Sequence, residues 1–267
     1  MNVRMNLVQL GLVILPLWVT AQPKQLITSV RSNSDRPAGS AASSKEQSVS
    51  KREPTTDTAT PETLESLNIL PLFGERAKTA EQIDLEIHFL NDCDRNFASR
   101  SEASDFFAAR GWDYITNGQL DTAAYRFNLA WLLNNKNSDA YWGLGVVCYQ
   151  KENLPDAIRM LKRGLAVADT NTILMTDLAT VQIKHYQNKA DTTDLIEAEQ
   201  ILQKSLSISP DNAVAYQKLS LVNFLKADYD KAWEYFHQAR TLDMSVLDLH
   251  YLNDLLVKRP DPKGVFK

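Results

Sequence analysis

The chain has 267 residues, of which 44% are hydrophobic and 23% are charged, values close to those of ordinary globular proteins. Its formal net charge of −4 argues against general binding to nucleic acids or to anionic membranes. Its two cysteines are too few for a disulfide-dense scaffold or for a four-thiolate zinc site. The length predicts one or two domains.

Residues 1–21 have the pattern of a secretory signal peptide. Arg4 is the only charge before an apolar run from Leu7 to Val19. This run has about 13 residues, whereas a membrane-spanning helix needs about 20. Because it ends in the small-residue pattern Val19-Thr20-Ala21, we expect cleavage before Gln22 and export to a periplasm or the extracellular space. The alternative is an uncleaved anchor, which would associate the chain with a membrane.

Residues 22–63 are predicted to form a disordered linker. They are rich in Ser, Thr and Ala, carry charges of both signs and hold few large apolar residues, so they cannot bury enough surface to offset the entropy of ordering. An apolar segment follows at residues 64–74, where Pro71 argues against a long helix. This segment is predicted either to pack against the first repeat described below or to dock on a partner or in the protein's own groove.

The rest of the 64–103 region is predicted to be an N-terminal capping helix. Thr79 and Gln82 have the spacing of a capping box, in which each side chain bonds to the other residue's backbone N–H. Ile83, Ile87 and Leu90 then recur at helical spacing, which predicts one helix from about residue 80 to 97.

Residue types recur at a fixed interval across residues 104–246. Small and bulky residues are spaced by 34 positions, with one interval of 41 in each series. The series are Gly111, Gly145, Ala179 and Ser220, then Ala123, Ala157, Ala198 and Ala232, then Phe127, Leu161, Leu202 and Phe236. A 34-residue period with these residue types is typical of a helix–turn–helix repeat, and small residues at these places allow the two helices of a unit to approach closely.

Residues 104–246 therefore resemble four tetratricopeptide repeats, most clearly at residues 107–114, 140–145 and 216–220. The resemblance implies an all-α, right-handed solenoid in which every unit buries its apolar face against its neighbours. The change from 34 to 41 places about seven extra residues in the third repeat, near residues 185–195. They form a longer turn or an extended helix pair, or else a loop that contacts a partner. Residues 247–260 are predicted to form a C-terminal capping helix, and residues 261–267 a tail.

In this family, ligands usually lie against a concave face built mainly from the first helix of each repeat, so the resemblance implies a binding site there. Counting along those helices gives nine candidate partner-binding residues: Trp112, Ile115, Trp142, Val146, Tyr149, Ile183, Gln217, Leu221 and Phe224. Three of them are aromatic residues in one half of the groove, and aromatic side chains are good anchors. The alternative is that the linker, the 64–74 segment or a neighbouring helix covers them.

Some family members hold a C-terminal carboxylate with cationic and amide residues in this groove. Ala108 and Trp112 stand where the first two such residues would be, so we expect no carboxylate clamp. The groove is instead predicted to suit an extended segment or an amphipathic helix.

No catalytic, cofactor or metal-binding pattern is found in the sequence. None of the four histidines lies in an H-E-x-x-H motif, and Gly143 and Gly145 lie inside a predicted helix, where they favour packing over phosphate binding. Cys93 and Cys148 are predicted to be buried free thiols. We therefore expect an exported, non-catalytic scaffold that binds an exported or envelope protein. The alternatives are a cell-wall or glycan-binding module that uses the groove aromatics, and self-association through the 64–74 segment.

Overall fold

The computed structural model describes residues 67–267, in which all regular elements are helical. The α-helices are α1 (Ala80–Asn96), α2 (Arg100–Thr116), α3 (Leu120–Leu133), α4 (Ser138–Gln150), α5 (Leu154–Val167), α6 (Thr172–Lys189), α7 (Thr192–Ile208), α8 (Ala213–Leu225), α9 (Tyr229–Leu242) and α10 (Leu249–Lys258). Two 3-10 helices lie at Pro71–Glu75 and Met244–Val246. The all-α class is confirmed. The predicted signal peptide and the predicted linker lie outside the described residues.

Helices α2 to α9 form four successive helix–turn–helix repeats, which we number 1 to 4. The two helices of each repeat pack against each other, and the second helix (helix B) packs against the first helix (helix A) of the next repeat. The A helices of repeats 1 and 2 also contact each other, as do those of repeats 3 and 4, and contacts between successive B helices are fewer. The A helices therefore form the inner face of the stack and the B helices the outer face.

Small residues on the A helices allow the close approach that the sequence predicts. A Cβ atom on Gly111 would lie 2.7 Å from the ring of Phe127, and one on Gly145 would lie 2.7 Å from Cγ of Leu161. At the equivalent place in repeat 4, the fully buried Ser220 donates a hydrogen bond to the Ala232 carbonyl across 2.7 Å. The predicted role of this position in packing is confirmed.

The A helices of repeats 2, 3 and 4 begin in the same way. Asn137, Asn171 and Asn212 precede them, and each asparagine side chain accepts a hydrogen bond from a backbone N–H of the first turn. This N-cap satisfies donors that have no partner within the helix. Asn137 also donates to Ser104 Oγ at 2.8 Å, so the cap additionally ties repeat 2 to repeat 1.

The extra residues of repeat 3 lengthen both of its helices. Helix α6 has 18 residues and α7 has 17, whereas the other repeats have B helices of 14. The two helices are joined at Ala190 and Asp191, and Ala190 has a left-handed φ of 57°. His185 Nδ1 lies 2.6 Å from Asp194 Oδ2, so a polar pair connects the lengthened ends. Of the two possibilities, the structure shows the extended helix pair.

Helix α1 packs against α2 at the N-terminal end of the stack. Its predicted capping box is confirmed, because Thr79 Oγ1 accepts from the Gln82 N–H and Gln82 Oε1 accepts from the Thr79 N–H. Ile83 and Ile87 are 44% and 49% exposed, so one apolar side of α1 has no covering element within residues 67–267. No helix in this part of the chain is long and apolar enough to cross a membrane.

The C-terminal tail folds back onto repeat 4, a contact that the sequence did not predict. The fully buried Asp261 carboxylate accepts hydrogen bonds from the backbone N–H groups of Lys263, Val265 and Phe266. It also lies 2.8 Å from Nε2 of the buried His237. The ring of Phe266 stacks on Trp233 of α9 at 6.2 Å between centroids. Together with α10, the tail therefore closes the C-terminal end of the stack.

Acid is expected to release this tail before the helices unfold. Burial acts to raise the pKa of Asp261, but its hydrogen bonds to Phe266, Lys263, His237 and Val265 outweigh burial and lower this pKa to about 2. A carboxyl with a lowered pKa stabilises the fold above its ordinary value near 3.8 and loses that effect as the pH falls through its folded value. The tryptophan fluorescence of the protein should therefore change between about pH 4 and pH 2, because release of the tail removes Phe266 from the Trp233 ring. The variant Asp261→Asn should show the acid-type signal already at pH 7, and identical titrations of the two chains would contradict this account.

Candidate functional site

The structure buries five of the nine predicted partner-binding side chains. Ile115, Trp142, Val146, Ile183 and Gln217 are between 0% and 8% exposed. The other four are partly exposed, namely Trp112, Tyr149, Leu221 and Phe224. The expectation that all nine project into an accessible groove is therefore not met, and a role in binding stays a prediction.

Trp142 shows why the aromatic residues do not form one open patch. Its indole is 5% exposed, and Nε1 donates a hydrogen bond to Oδ2 of the fully buried Asp177 on the A helix of the next repeat, across 2.8 Å. It also meets Trp112 edge to face, with 5.5 Å between the ring centroids. Of the alternatives above, a neighbouring helix covers Trp142. The described part of the 64–74 segment, residues 67–74, lies on the outer face, as described below.

The inner face of repeats 1 and 2 combines an aromatic ring with carboxylates. The half-buried Trp112 packs edge to face on Phe127, with 4.9 Å between the centroids. Burial and the nearby Asp105 raise the pKa of Asp139, and the hydrogen bond from Trp112 partly opposes them. A ligand at this end of the face would therefore meet an indole flanked by acidic groups.

A cationic group lies beside the aromatic ring at the junction of repeats 2 and 3. Lys184 Nζ is 4.8 Å from the centroid of the Tyr149 ring, and it bonds to Glu152 Oε1 across 2.9 Å. The hydrogen bond to Glu152 raises the pKa of Lys184, so this lysine is charged at neutral pH. The ring and the ammonium group are both partly exposed.

The inner face of repeats 3 and 4 contains polar groups in a poorly hydrated setting. Burial lowers the pKa of Lys218, although Asp177 and Asp248 act in the opposite direction. Gln217 is 6% exposed, and its Oε1 has no hydrogen-bond partner within residues 67–267. Leu221 lies one turn further along the same helix and is partly exposed. This end of the face therefore offers an apolar surface next to a lysine.

Sequence reasoning missed Asp177 and Lys218. They share one position of the repeat unit, which is Ala109 in repeat 1 and Gly143 in repeat 2. A charge in only two of the four units is not a periodic signal. However, the sequence does contain one signal: repeats 1 and 2 have a small residue at this position, whereas repeats 3 and 4 have a charged one.

The described part of the apolar 64–74 segment packs on the outer face, and we call this part together with Glu75, residues 67–75, the strap. Its Leu72 is 1% exposed and belongs to the hydrophobic core that extends from repeat 1 through repeat 2 into repeat 3. The fully buried Asn128 of α3 accepts a hydrogen bond from the Leu72 N–H, and its Nδ2 donates to the Asn68 and Leu70 carbonyls, each across 2.8 Å. Of the alternatives stated for this segment, packing against the repeats is the one that the structure shows.

The C-terminal end of the strap is held by charge. The Glu75 carboxylate pairs with Arg159 and Arg163, which lie on α5, the B helix of repeat 2. The backbone at Leu72, Phe73 and Glu75 has φ of 54°, 55° and 54°, in the left-handed region that L-residues avoid. Such a conformation costs about 1–2 kcal/mol per residue, so the contacts to α3 and α5 determine the shape of the strap.

The two cysteines and the potential metal ligands of the described chain complete the description of its chemical groups. Cys93 and Cys148 are both buried free thiols, as predicted. Burial raises the pKa of Cys148 to about 12, so this thiol stays protonated at neutral pH. Within residues 67–267, no group of His, Cys, Asp and Glu side chains is placed to hold a metal ion.

Comparison with known proteins adds evidence on the fold. The sequence matches no protein-family model and no curated protein. Among solved structures, it is similar to PilW, described as a widely conserved type IV pilus biogenesis factor, with a TM-score of 0.51, 16% identity and coverage of 70% of this chain and 90% of PilW. It is also similar to a MamA double mutant of strain RS-1, with a TM-score of 0.50, 16% identity and coverage of 60% and 86%. PilF of Pseudomonas aeruginosa matches with a TM-score of 0.49, 20% identity and coverage of 63% and 79%.

Four stacked helix–turn–helix units, spaced by 34 residues apart from one interval of 41, agree with the similarity to PilW and to the MamA double mutant on one architecture. The chain has the fold of the tetratricopeptide-repeat proteins.

Proposed function

We propose that this protein with the tetratricopeptide-repeat fold is a non-catalytic scaffold that binds a protein partner on the inner face of its A helices. The observation that carries this proposal is the row of partly exposed large side chains on that face: Trp112, Tyr149, Leu221 and Phe224. Large apolar and aromatic side chains beside charged groups are what the anchors of a peptide or of an amphipathic helix need.

The proposal includes export. Its support is the sequence of residues 1–21, in which one positive charge, a short apolar run and a small-residue cleavage pattern follow each other. We therefore propose that the scaffold works in a periplasm or outside the cell and that its partner is an exported or envelope protein. The intact mass of the chain purified from its host tests the predicted cleavage, and with it the export, because cleavage leaves Gln22 as the first residue.

A glycan-binding role has less support than a protein-binding role. A sugar platform needs accessible ring faces, and Trp142 is buried between Trp112 and Asp177. The protein scaffold therefore remains the function that the geometry supports best.

A charge placed on the inner face is expected to weaken binding of the partner at least about tenfold without unfolding the chain. Leu221→Glu introduces a carboxylate at a partly exposed apolar position that the proposal places under the ligand. Partner retained from an envelope extract by the immobilised variant should fall at least about tenfold relative to the native chain, since one interface anchor is worth about 2 kcal/mol or more.

The matched control is Ile196→Glu, which makes a similar change at a 51% exposed position on the B helix of repeat 3. This variant should retain the partner as the native chain does. Equal loss in both variants, or equal retention in both, would exclude the inner face of repeat 4 as the binding surface. Circular dichroism of both chains verifies that their helices are intact.

A further inference from the structure

We propose that the outer face of repeats 1 and 2 is a second recognition site, which binds the strap in its own chain and can exchange it for the strap of a second copy of this chain. This site is separate from the inner face, because the side chains that bond to the strap, Asn128, Arg159 and Arg163, lie on the B helices α3 and α5. The proposal does not depend on the proposed function.

The site has three parts, and each recognises a different feature of the strap. Asn128 bonds to backbone groups of residues 68, 70 and 72 and to no strap side chain. The hydrophobic core of the repeats encloses the Leu72 side chain. Arg159 and Arg163 pair with the carboxylate three residues further on. Together, these three parts would recognise a leucine and an acidic residue three positions further on, in a segment whose backbone has the conformation of the strap.

Asn128 is the part that most clearly marks a docking site. A fully buried amide on a helix face is costly unless its oxygen and nitrogen both find partners. Its three partners here all belong to the strap. Without the strap, the outer face would present one amide, then hydrogen-bonded to water, beside an apolar surface, and an equivalent segment would replace that water and cover the apolar surface.

The strap is attached to the rest of its chain loosely enough to be exchanged. Residues 76–79 connect it to α1 without regular structure. A cavity of about 140 Å³ lies among the strap, α1 and α3, lined by Phe73, Leu85 and Leu129 among others, so the side of the strap that faces α1 is incompletely packed. The left-handed backbone of the strap is also set by the site rather than by local preference. Exchange of an identical element between two protomers is a low-cost route to a dimer.

The choice of a second copy as the exchange partner follows from the sequence that the site recognises. The contacts use Leu72 and Glu75 at a fixed spacing in the segment Leu70-Pro71-Leu72-Phe73-Gly74-Glu75, and every copy of the chain carries that segment. In the native chain, the strap in cis has the advantage of a high effective concentration, set by the short link to α1. We therefore expect native protein to be monomeric at low concentration and the exchange to become visible when the cis contact is removed.

Complementation between two full-length variants tests this exchange. Leu72→Asp disables the strap and leaves the site intact, whereas Asn128→Leu disables the site and leaves the strap intact. Each variant alone should be monomeric, near 30.1 kDa minus any cleaved leader. Their equimolar mixture should form a one-to-one dimer in size-exclusion chromatography with light scattering, because the second variant can donate its strap to the first.

The matched control is the Leu72→Asp/Asn128→Leu double variant, which should not dimerise with either single variant. A mixture that stays monomeric at 200 µM of each chain, or a double variant that dimerises equally well, would overturn the proposal. If either substitution at the buried positions unfolds its chain, a pair of surface variants makes the same test. Glu75→Lys and Arg159→Glu/Arg163→Glu should dimerise when mixed, because the lysine strap of one chain fits the acidic site of the other.

Discussion

Gly143→Ala is expected to lower the free energy of unfolding by about 2 kcal/mol, although alanine favours helices over glycine by about 1 kcal/mol. Gly143 is buried in α4, and a Cβ atom there would lie 2.1 Å from Cζ of Phe127 in the preceding repeat. The phenyl ring is fully buried and cannot swing into solvent, so α3 and α4 must separate. The midpoint of urea denaturation measures the loss.

Two further variants check the cause of this loss. Gly143→Ala/Phe127→Leu should be less destabilised than the sum of its two single variants, because the smaller side chain makes room for the new methyl group. Gly164→Ala meets its nearest neighbour, the flexible end of Leu174, at 3.1 Å and should change stability by less than about 1 kcal/mol. A Gly143→Ala chain as stable as the native one would mean that α3 and α4 are further apart than described.

The repeat architecture could be predicted because its cause is local and periodic. A small residue on helix A must face a bulky residue on helix B in every unit, so the pairs Gly111 with Phe127 and Gly145 with Leu161 recur 34 positions apart. The length of the insertion in repeat 3 could be predicted in the same way, because it changes the interval between equivalent residues from 34 to 41. The sequence did not show that the extra residues extend α6 and α7 rather than forming a loop, because both outcomes have the same length.

The candidate sites could be predicted less well, because they depend on contacts between units. Trp142 occupies an outward position when its helix is considered alone, and only the approach of α6 with Asp177 buries it. Asn128 resembles any polar residue on a helix until the strap is placed on it. Neither pairing produces a periodic pattern, since Trp142 and Asp177 are 35 residues apart and Leu72 and Asn128 are 56 apart.

Trp142→Ala is expected to lower the free energy of unfolding by about 3–5 kcal/mol, the usual cost of removing a large buried aromatic side chain. Trp142→Phe should cost less, about 1–3 kcal/mol, because it keeps most of the packing and removes the hydrogen bond to the fully buried Asp177. Trp112→Ala should cost less than Trp142→Ala, because its ring is already partly exposed. Denaturant titrations of the three chains give the order.

This order decides how a binding experiment on the aromatic residues is interpreted. If Trp142→Ala lost a partner, the loss would follow from destabilisation of repeats 2 and 3, since the indole joins them through Asp177. Substitutions at the partly exposed Tyr149 and Leu221 change the inner face directly and leave that bond in place. A Trp142→Ala chain with native stability would place this indole in solvent, and the aromatic patch that the sequence predicts would then be restored as the binding surface.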